Sequence, residues 1–258
     1  MTFDPDRMFA ELDIETHGLC NRFCPTCLRN STPDNLEVMA DRFGKKKLMP
    51  TAMVFDIIED AAAMGFTGVI NFSHFNEPLQ DERLWRFGRH AKNMDVFKDV
   101  MFHTNADLLT ARRAKLLNGN FTKATVALYD GLDTRENRDR LQSMVPDIEL
   151  IWTGGEHITT HFSPRTEHLA HLIAEAQHQP CQLNTQKRMI IDYKGDMLLC
   201  CEDIGIYPTL GNYHHTPSLS QLWYSEKHLK ILETLDKAGG RSRYKFCMSC
   251  PRLNEVYP

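Results

Sequence analysis

Residues 20–27 read CNRFCPTC, three cysteines in eight positions with a proline directly after the second. On an α-helix Cys20, Cys24 and Cys27 would fall at i, i+4 and i+7 and line one face as small buried residues. Pro25 speaks against that. Inside a helix it lacks the N–H and clashes with the preceding turn, and seven helical residues would spread the sulfurs over roughly 10 Å. A loop gathers three thiols around one centre. Structural zinc takes four closed ligands, usually as two pairs, so a triplet is one short. Iron-sulfur cubanes are normally held by four cysteines, and three would leave one iron open to a substrate or cofactor.

Directly ahead of this loop, FAELDIE alternates Ala10, Leu12 and Ile14 with Glu11, Asp13 and Glu15, the period of a strand. After a polar, basic loop ending in Pro50, TAMVFDIIEDAAAMG predicts an amphipathic helix stopped by Gly65, and GVINFS a second strand. The alternation continues with a helix near 81–93, a strand near 98–103, a helix from Thr110 to Asn118, a strand at ATVAL, a helix at 134–144 and a strand at IELIW. Five strands alternating with helices predict an α/β fold with a parallel sheet. A complete eightfold βα barrel takes about 250 residues, but a cysteine-rich part begins near 180, so the expectation is a partial, open barrel of TIM type. The boundary is placed near Gln179, giving a barrel over 1–179 and a small module over 180–258. In such barrels the chemistry sits at the C-terminal ends of the strands. The cysteine loop falls there, as do SHFNEP, HTNA, YDG and TGGEH after the later strands.

Beyond a helix near 165–178, RMIIDYKGDMLLC predicts a β-hairpin turning at Lys194-Gly195, followed by a helix from Ser218 to Ala238 and then CMSC. This part has few large apolar residues for its length, so a metal centre would help it fold.

The chain has 258 residues, 42% of them hydrophobic, and a net charge of -4. That balance provides no basic field for nucleic acid or an anionic membrane. No apolar run approaches transmembrane length, and MTFDPDRMFAELDIE has neither a basic n-region nor an apolar h-region, so a cytoplasmic protein is expected. In a reducing compartment eight cysteines are read as metal ligands or catalysts rather than disulfides. They form two groups, Cys20, Cys24 and Cys27 at the front and Cys181, Cys200, Cys201, Cys247 and Cys250 in the last third, which predicts two centres.

These residues resemble the radical S-adenosylmethionine superfamily, over essentially the whole chain. CNRFCPTC matches its CxxxCxxC signature at the end of the first strand of a partial barrel. The resemblance implies that Cys20, Cys24 and Cys27 hold a 4Fe-4S cluster whose free iron is chelated by the amino and carboxylate groups of S-adenosylmethionine. Reductive cleavage then yields a 5'-deoxyadenosyl radical that abstracts hydrogen from a substrate carbon. An external one-electron donor such as flavodoxin or ferredoxin is implied as a partner. The aromatic residue usual before the third cysteine, near the adenine, is replaced by Thr26, with Phe23 one turn earlier. The Gly-Gly-Glu motif that holds the methionine amino group corresponds to Phe75-Asn76-Glu77-Pro78, retaining Glu77. Thr104-Asn105 matches a pair beside the cofactor in related enzymes, which implies Asn105 as a contact.

The C-terminal part resembles the SPASM auxiliary-cluster module, in its single-cluster form called twitch. The match implies a second 4Fe-4S cluster on Cys181, Cys200, Cys247 and Cys250, with Cys201 left over as a thiol. A zinc ribbon is the structural alternative for the four. Size and layout also resemble a compact member of the superfamily that oxidises a secondary alcohol. The expected enzyme therefore acts on a small polar substrate. A peptide-modifying maturase is the second reading, and a zinc-stabilised, non-catalytic interaction protein the third. His74, Tyr129, Trp152 and Glu156 lie at predicted strand ends, where they either face the pocket or serve packing.

Overall fold

The structure, a computed structural model, describes residues 7–24, 27, 29, 47–154, 174, 177–181, 187–203, 209–245 and 247–250. Strand β1 (Glu11–Ile14) is followed by α1 (Thr51–Ala63), β2 (Val69–Asn71), α2 (Leu84–Asn93), β3 (Asp99–Thr104), α3 (Ala111–Leu117), β4 (Lys123–Leu128), α4 (Arg135–Met144) and β5 (Glu149–Gly154). Then come β6 (Arg188–Ile191), β7 (Met197–Leu198), α5 (Leu219–Trp223) and α6 (Glu226–Leu235). The strands form one sheet in the order β5-β4-β3-β2-β1-β6-β7. All neighbours are parallel except β6 and β7. With β5 at one edge and β7 at the other, the barrel is open.

Local chemistry accounts for the elements. In α1 the buried residues are Val54, Ile57, Ile58 and Ala61, the i, i+3, i+4, i+7 stripe of a helix with one face on a core. The helix stops because Gly65 takes φ +81, from which its N–H reaches the carbonyl of Ala62 while the N–H of Phe66 reaches that of Ala61. This is the Schellman closure, and glycine enters the left-handed region without a Cβ penalty. Helix α2 begins at Leu84, later than the expected 81, because Asp81 turns back to accept from the N–H and guanidinium of Arg83. The single helix expected over 218–238 is two. Ser225 ends the first run and caps the second by accepting from the N–H of His228. The helix expected near 165–178 falls almost wholly outside the described residues.

The hairpin is present, with Ile190 opposite Leu198 and Ile191 opposite Met197. Its turn is closed by Gly195 at φ +85 and by Asp192, whose carboxylate accepts from the N–H groups of Lys194 and Asp196. Strand β6 also lies parallel against β1, with Glu11 opposite Arg188 and Ile14 opposite Ile191. Sheet and core therefore continue across residue 179. Phe9 packs between Phe66 and Trp223, and Leu219, Leu222, Trp223, Ile231 and Leu235 belong to the same apolar cluster as Leu12, Ile14 and Ile57. The Trp223 indole N–H donates to the carbonyl of Arg7, and the N–H of Leu219 to the Asp60 carboxylate.

The polar positions of β1 are not a solvent face. Asp13 is 2% exposed and Glu15 not at all. Glu11 and Asp13 share one face of the sheet with Asn71 and Arg188, on the inner side of the barrel, while Leu12, Ile14, Met189 and Ile191 pack into the core. The register thus gives the open barrel a polar interior.

Candidate functional site

The cysteine loop leaves the end of β1 and is fastened at several points to the ends of neighbouring strands. The guanidinium of Arg22 donates to both oxygens of Asp107 at 2.6 and 2.7 Å and to Asp130 at 2.7 Å, and it lies 4.7 Å over the ring of Tyr129. Asn21 donates to Asp107, while Asn105 donates to Asn21 and lies 4.0 Å from the Cys20 sulfur. Within the loop the N–H of Cys27 bonds to the carbonyl of Cys24, and the N–H of Arg22 approaches the Cys20 sulfur at 3.5 Å. Asp107 and Asp130 follow β3 and β4, and the backbone at Ala106 (φ 60) and Asp130 (φ 57) is left-handed there. Such strain persists only where surrounding contacts over-determine it, as the Arg22 fork does here. Burial pushes all three thiols up, Cys27 to about 11. Bare thiolates are therefore disfavoured, and a bound cation is what would hold the loop deprotonated.

Glu77 is buried beside this loop, 2% exposed. Its N–H donates to the carbonyl of Leu19. Its carboxylate accepts from the Thr104 hydroxyl at 2.6 Å and from the N–H groups of Leu79 and Asn105 at 3.0 and 2.9 Å. Burial raises its pKa and these three donors oppose the rise. The expected cofactor residues Glu77 and Asn105 are thus joined directly to each other and, through Asn105, to the cysteine loop. Beside them the Asn76 side-chain oxygen accepts from the N–H of His74, whereas its buried Nδ2 has no acceptor among the described residues. A buried, unmatched donor next to the cysteine loop fits the carboxylate of an amino-acid cofactor. Phe23 stands 81% exposed at the loop tip. Thr26 lies outside the described residues.

At the other edge of the sheet, Cys181, Cys200, Cys247 and Cys250 line a single cavity with Arg188, Leu199, Trp223, His228, Leu232 and Leu235. Its enclosed volume is about 30 Å³. The N–H of Cys181 is held by the carbonyl of Leu235, and Cys247 and Cys250 frame one 3-10 turn. Cys201 is not part of the lining. Among the described residues no three His, Cys, Asp or Glu side chains converge on a single-ion position. The four thiols instead share the lining of one cavity. Burial and the neighbouring thiols push Cys247 up to about 12 and Cys200 well above the usual range.

Between the two sites runs the polar interior. Asn71 donates to Asp13 and accepts from the Ser73 hydroxyl, and Ser73 in turn accepts from the N–H of His103. Arg188 donates to Glu11 at 2.6 Å and lies 3.7 Å from Asp13. Burial raises the pKa of Asp13, and Arg188 opposes it. His74 reaches from the end of β2 to the carbonyl of Asp203 at 3.2 Å, tying the second cysteine segment to the barrel. Trp152 packs against Val126, Leu128 and Leu141 under Arg138, and Tyr129 serves as the platform for Arg22. Glu156 lies outside the described residues. The Arg22–Asp107–Asp130 clamp and Arg188 were not expected from the sequence. The available signal was an aspartate a few residues after each of two predicted strand ends, Asp107 and Asp130.

Residues 181–251 match the SPASM family model, an iron-sulfur cluster-binding domain. The chain is similar to the S-adenosyl-L-methionine-dependent 2-deoxy-scyllo-inosamine dehydrogenase of Niallia circulans, 23% identical over 260 residues that cover 96% of this chain and 95% of the relative. Among solved structures it resembles BtrN in an open conformation, with a TM-score of 0.71 and 20% identity over 97% of this chain and 94% of that one. It also resembles anSMEcpe with bound AdoMet, with a TM-score of 0.59 and 15% identity over 93% and 88% of the respective chains. The chain thus shares the open βα barrel of these solved structures, and its residues 181–251 are similar to the SPASM iron-sulfur cluster-binding domain.

Proposed function

We propose that this chain is a radical S-adenosylmethionine oxidoreductase that takes hydrogen from a small polar molecule and oxidises it with the help of a second 4Fe-4S cluster. The observation that carries this reading is that one open barrel holds two cysteine sets in different ways. Three thiols sit in a loop bound to strand ends, and four stand around a cavity beside the sheet edge. When bound, the two clusters and S-adenosylmethionine supply a carbon-centred radical that abstracts hydrogen and an acceptor for the electron an oxidised product must give up.

In this reading Cys20, Cys24 and Cys27 hold the first cluster, and Cys181, Cys200, Cys247 and Cys250 the second. Asn76 offers its unmatched Nδ2–H to the cofactor carboxylate. Glu77 orients Thr104 and Asn105, and its Oε2, which accepts one protein donor, has capacity for the amino group. Phe23, exposed at the loop tip, would stand beside the adenine. The relative from Niallia circulans is a 2-deoxy-scyllo-inosamine dehydrogenase, and the polar interior row of Glu11, Asp13, Asn71 and Ser73 suits a polar substrate of comparable kind. Electrons reach the first cluster from a flavodoxin or ferredoxin.

The test is anaerobic reconstitution followed by incubation with amino alcohols deuterated at single carbons. About eight irons and eight sulfides per chain are expected, with the label of one carbon appearing in 5'-deoxyadenosine. Zinc without iron would overturn the enzyme reading.

A further inference from the structure

Arg188 is the one described residue that belongs both to the charged row inside the barrel and to the lining of the four-cysteine cavity. The head of its guanidinium is committed to the row, Nη2 to Glu11 at 2.6 Å and Nη1 towards Asp13 at 3.7 Å. Its Nε is buried and has no acceptor among the described residues. A guanidinium keeps all five N–H donors at any accessible pH, so an unmatched Nε–H is a fixed, charged donor waiting for an acceptor. The cavity beside it offers cysteine sulfurs and, with the SPASM cluster in place, cluster sulfides.

We infer that Arg188 sets the reduction potential of the C-terminal cluster, its Nε–H donating to a sulfur at the cavity wall and its charge favouring the reduced state. The inference rests on the reading of the C-terminal cavity as an iron-sulfur site. Reduction adds one negative charge to a cubane, and hydrogen bonds to sulfur together with nearby positive charge both stabilise that added charge. Glu11 works in the opposite sense, because its carboxylate neutralises part of the guanidinium charge while fixing its orientation. Arg188 is thus a positioning and tuning residue. It makes the cluster a better acceptor for an electron leaving a substrate held in the interior row, and it links the acceptor's potential to the charge of that row.

The test is a redox titration with dithionite, the source of the one electron taken up, followed by electron paramagnetic resonance. It uses full-length protein in which Cys20, Cys24 and Cys27 are alanine, so that the C-terminal cluster alone is read. Arg188→Gln is expected to disfavour reduction about tenfold, a midpoint lower by about 59 mV for a one-electron couple. Glu11→Gln is expected to move the midpoint the other way. A structural disturbance from breaking the same ion pair would shift both variants in one direction, so shifts of equal sign overturn the inference. An unchanged midpoint in Arg188→Gln with full iron content overturns it as well. If Arg188→Gln does not retain iron, Arg188→Lys decides, since it keeps the charge and loses the Nε–H: a smaller downward shift is expected, and none overturns the proposed donor. Zinc in the unmutated C-terminal site would remove the iron-sulfur reading itself, an outcome distinct from a cluster whose potential ignores Arg188.

Discussion

Replacing Glu77 separates two opposing effects that the structure places on one carboxylate. The side chain accepts from the Thr104 hydroxyl and two backbone N–H groups, yet it is almost fully buried, and burial has the larger influence on its pKa. Glu77→Ala strands all three donors and leaves a void, a loss of about 3–5 kcal/mol. Glu77→Gln keeps the shape. Its carbonyl can still accept from Thr104 and Leu79, while its NH2 faces the N–H of Asn105, so one buried donor is stranded at about 1–3 kcal/mol. Removing the buried charge offsets part of that, and a net loss of about 1 kcal/mol is expected. The pH dependence carries the sign. A carboxyl whose folded pKa is raised contributes stability that is full below its unfolded value, 4.5, and is lost as pH rises through the folded value. Glutamine does not titrate, so the advantage of the natural protein over Glu77→Gln should shrink as pH rises into the neutral range. Anaerobic urea unfolding of the three proteins at several pH values between 5 and 8 reads this directly. If the gap widens with pH, the three donors outweigh burial and the reasoning fails. It also fails if alanine costs no more than glutamine.

Two further outcomes concern the cysteine sites. Cys200→Ser should lose about half of the iron, since each cubane normally has four cysteine ligands, whereas Cys201→Ser, which does not line the cavity, should retain all of it; iron assay on folded protein decides. Arg22→Met removes a partly buried bidentate pair of about 1–2 kcal/mol, so a chelator should strip the front cluster on the order of tenfold faster while the rear cluster is unaffected. Equal rates would mean that the clamp does not hold the loop.

The alternation of strand and helix was legible because each element carries its own period, as in the Val54, Ile57, Ile58, Ala61 stripe and the Gly65 stop. The hairpin was legible for the same reason. That β6 lies against β1 was not, because strand period identifies a strand and says nothing about a neighbour 177 positions away. The break at Ser225 was available in principle, since a serine followed by Glu226 is a helix-start signal, but it sits inside an unbroken amphipathic run. Cysteine spacing located both centres. Their fastenings depend on pairs 85 and 108 positions apart, Arg22 with Asp107 and with Asp130, which local pattern does not reach.

The two cysteine sites are built into the fold to different depths. The front loop is joined to the barrel by hydrogen bonds and ion pairs at the rim, and its cysteines contribute nothing to the buried apolar cluster. The rear cavity is walled by Leu199, Trp223 and Leu235, which are themselves members of the main core, and Cys247 is buried among them. The same Trp223 packs on Phe9 just ahead of β1, so in the proposed reading a cluster bound there would contribute to the folding free energy of the core. A rim loop can be rearranged around an exchanging cofactor without disturbing the core. A core-walled cavity cannot, and in the proposed reading this division suits a front site that binds and releases S-adenosylmethionine and a rear site that keeps its cluster and exchanges only electrons.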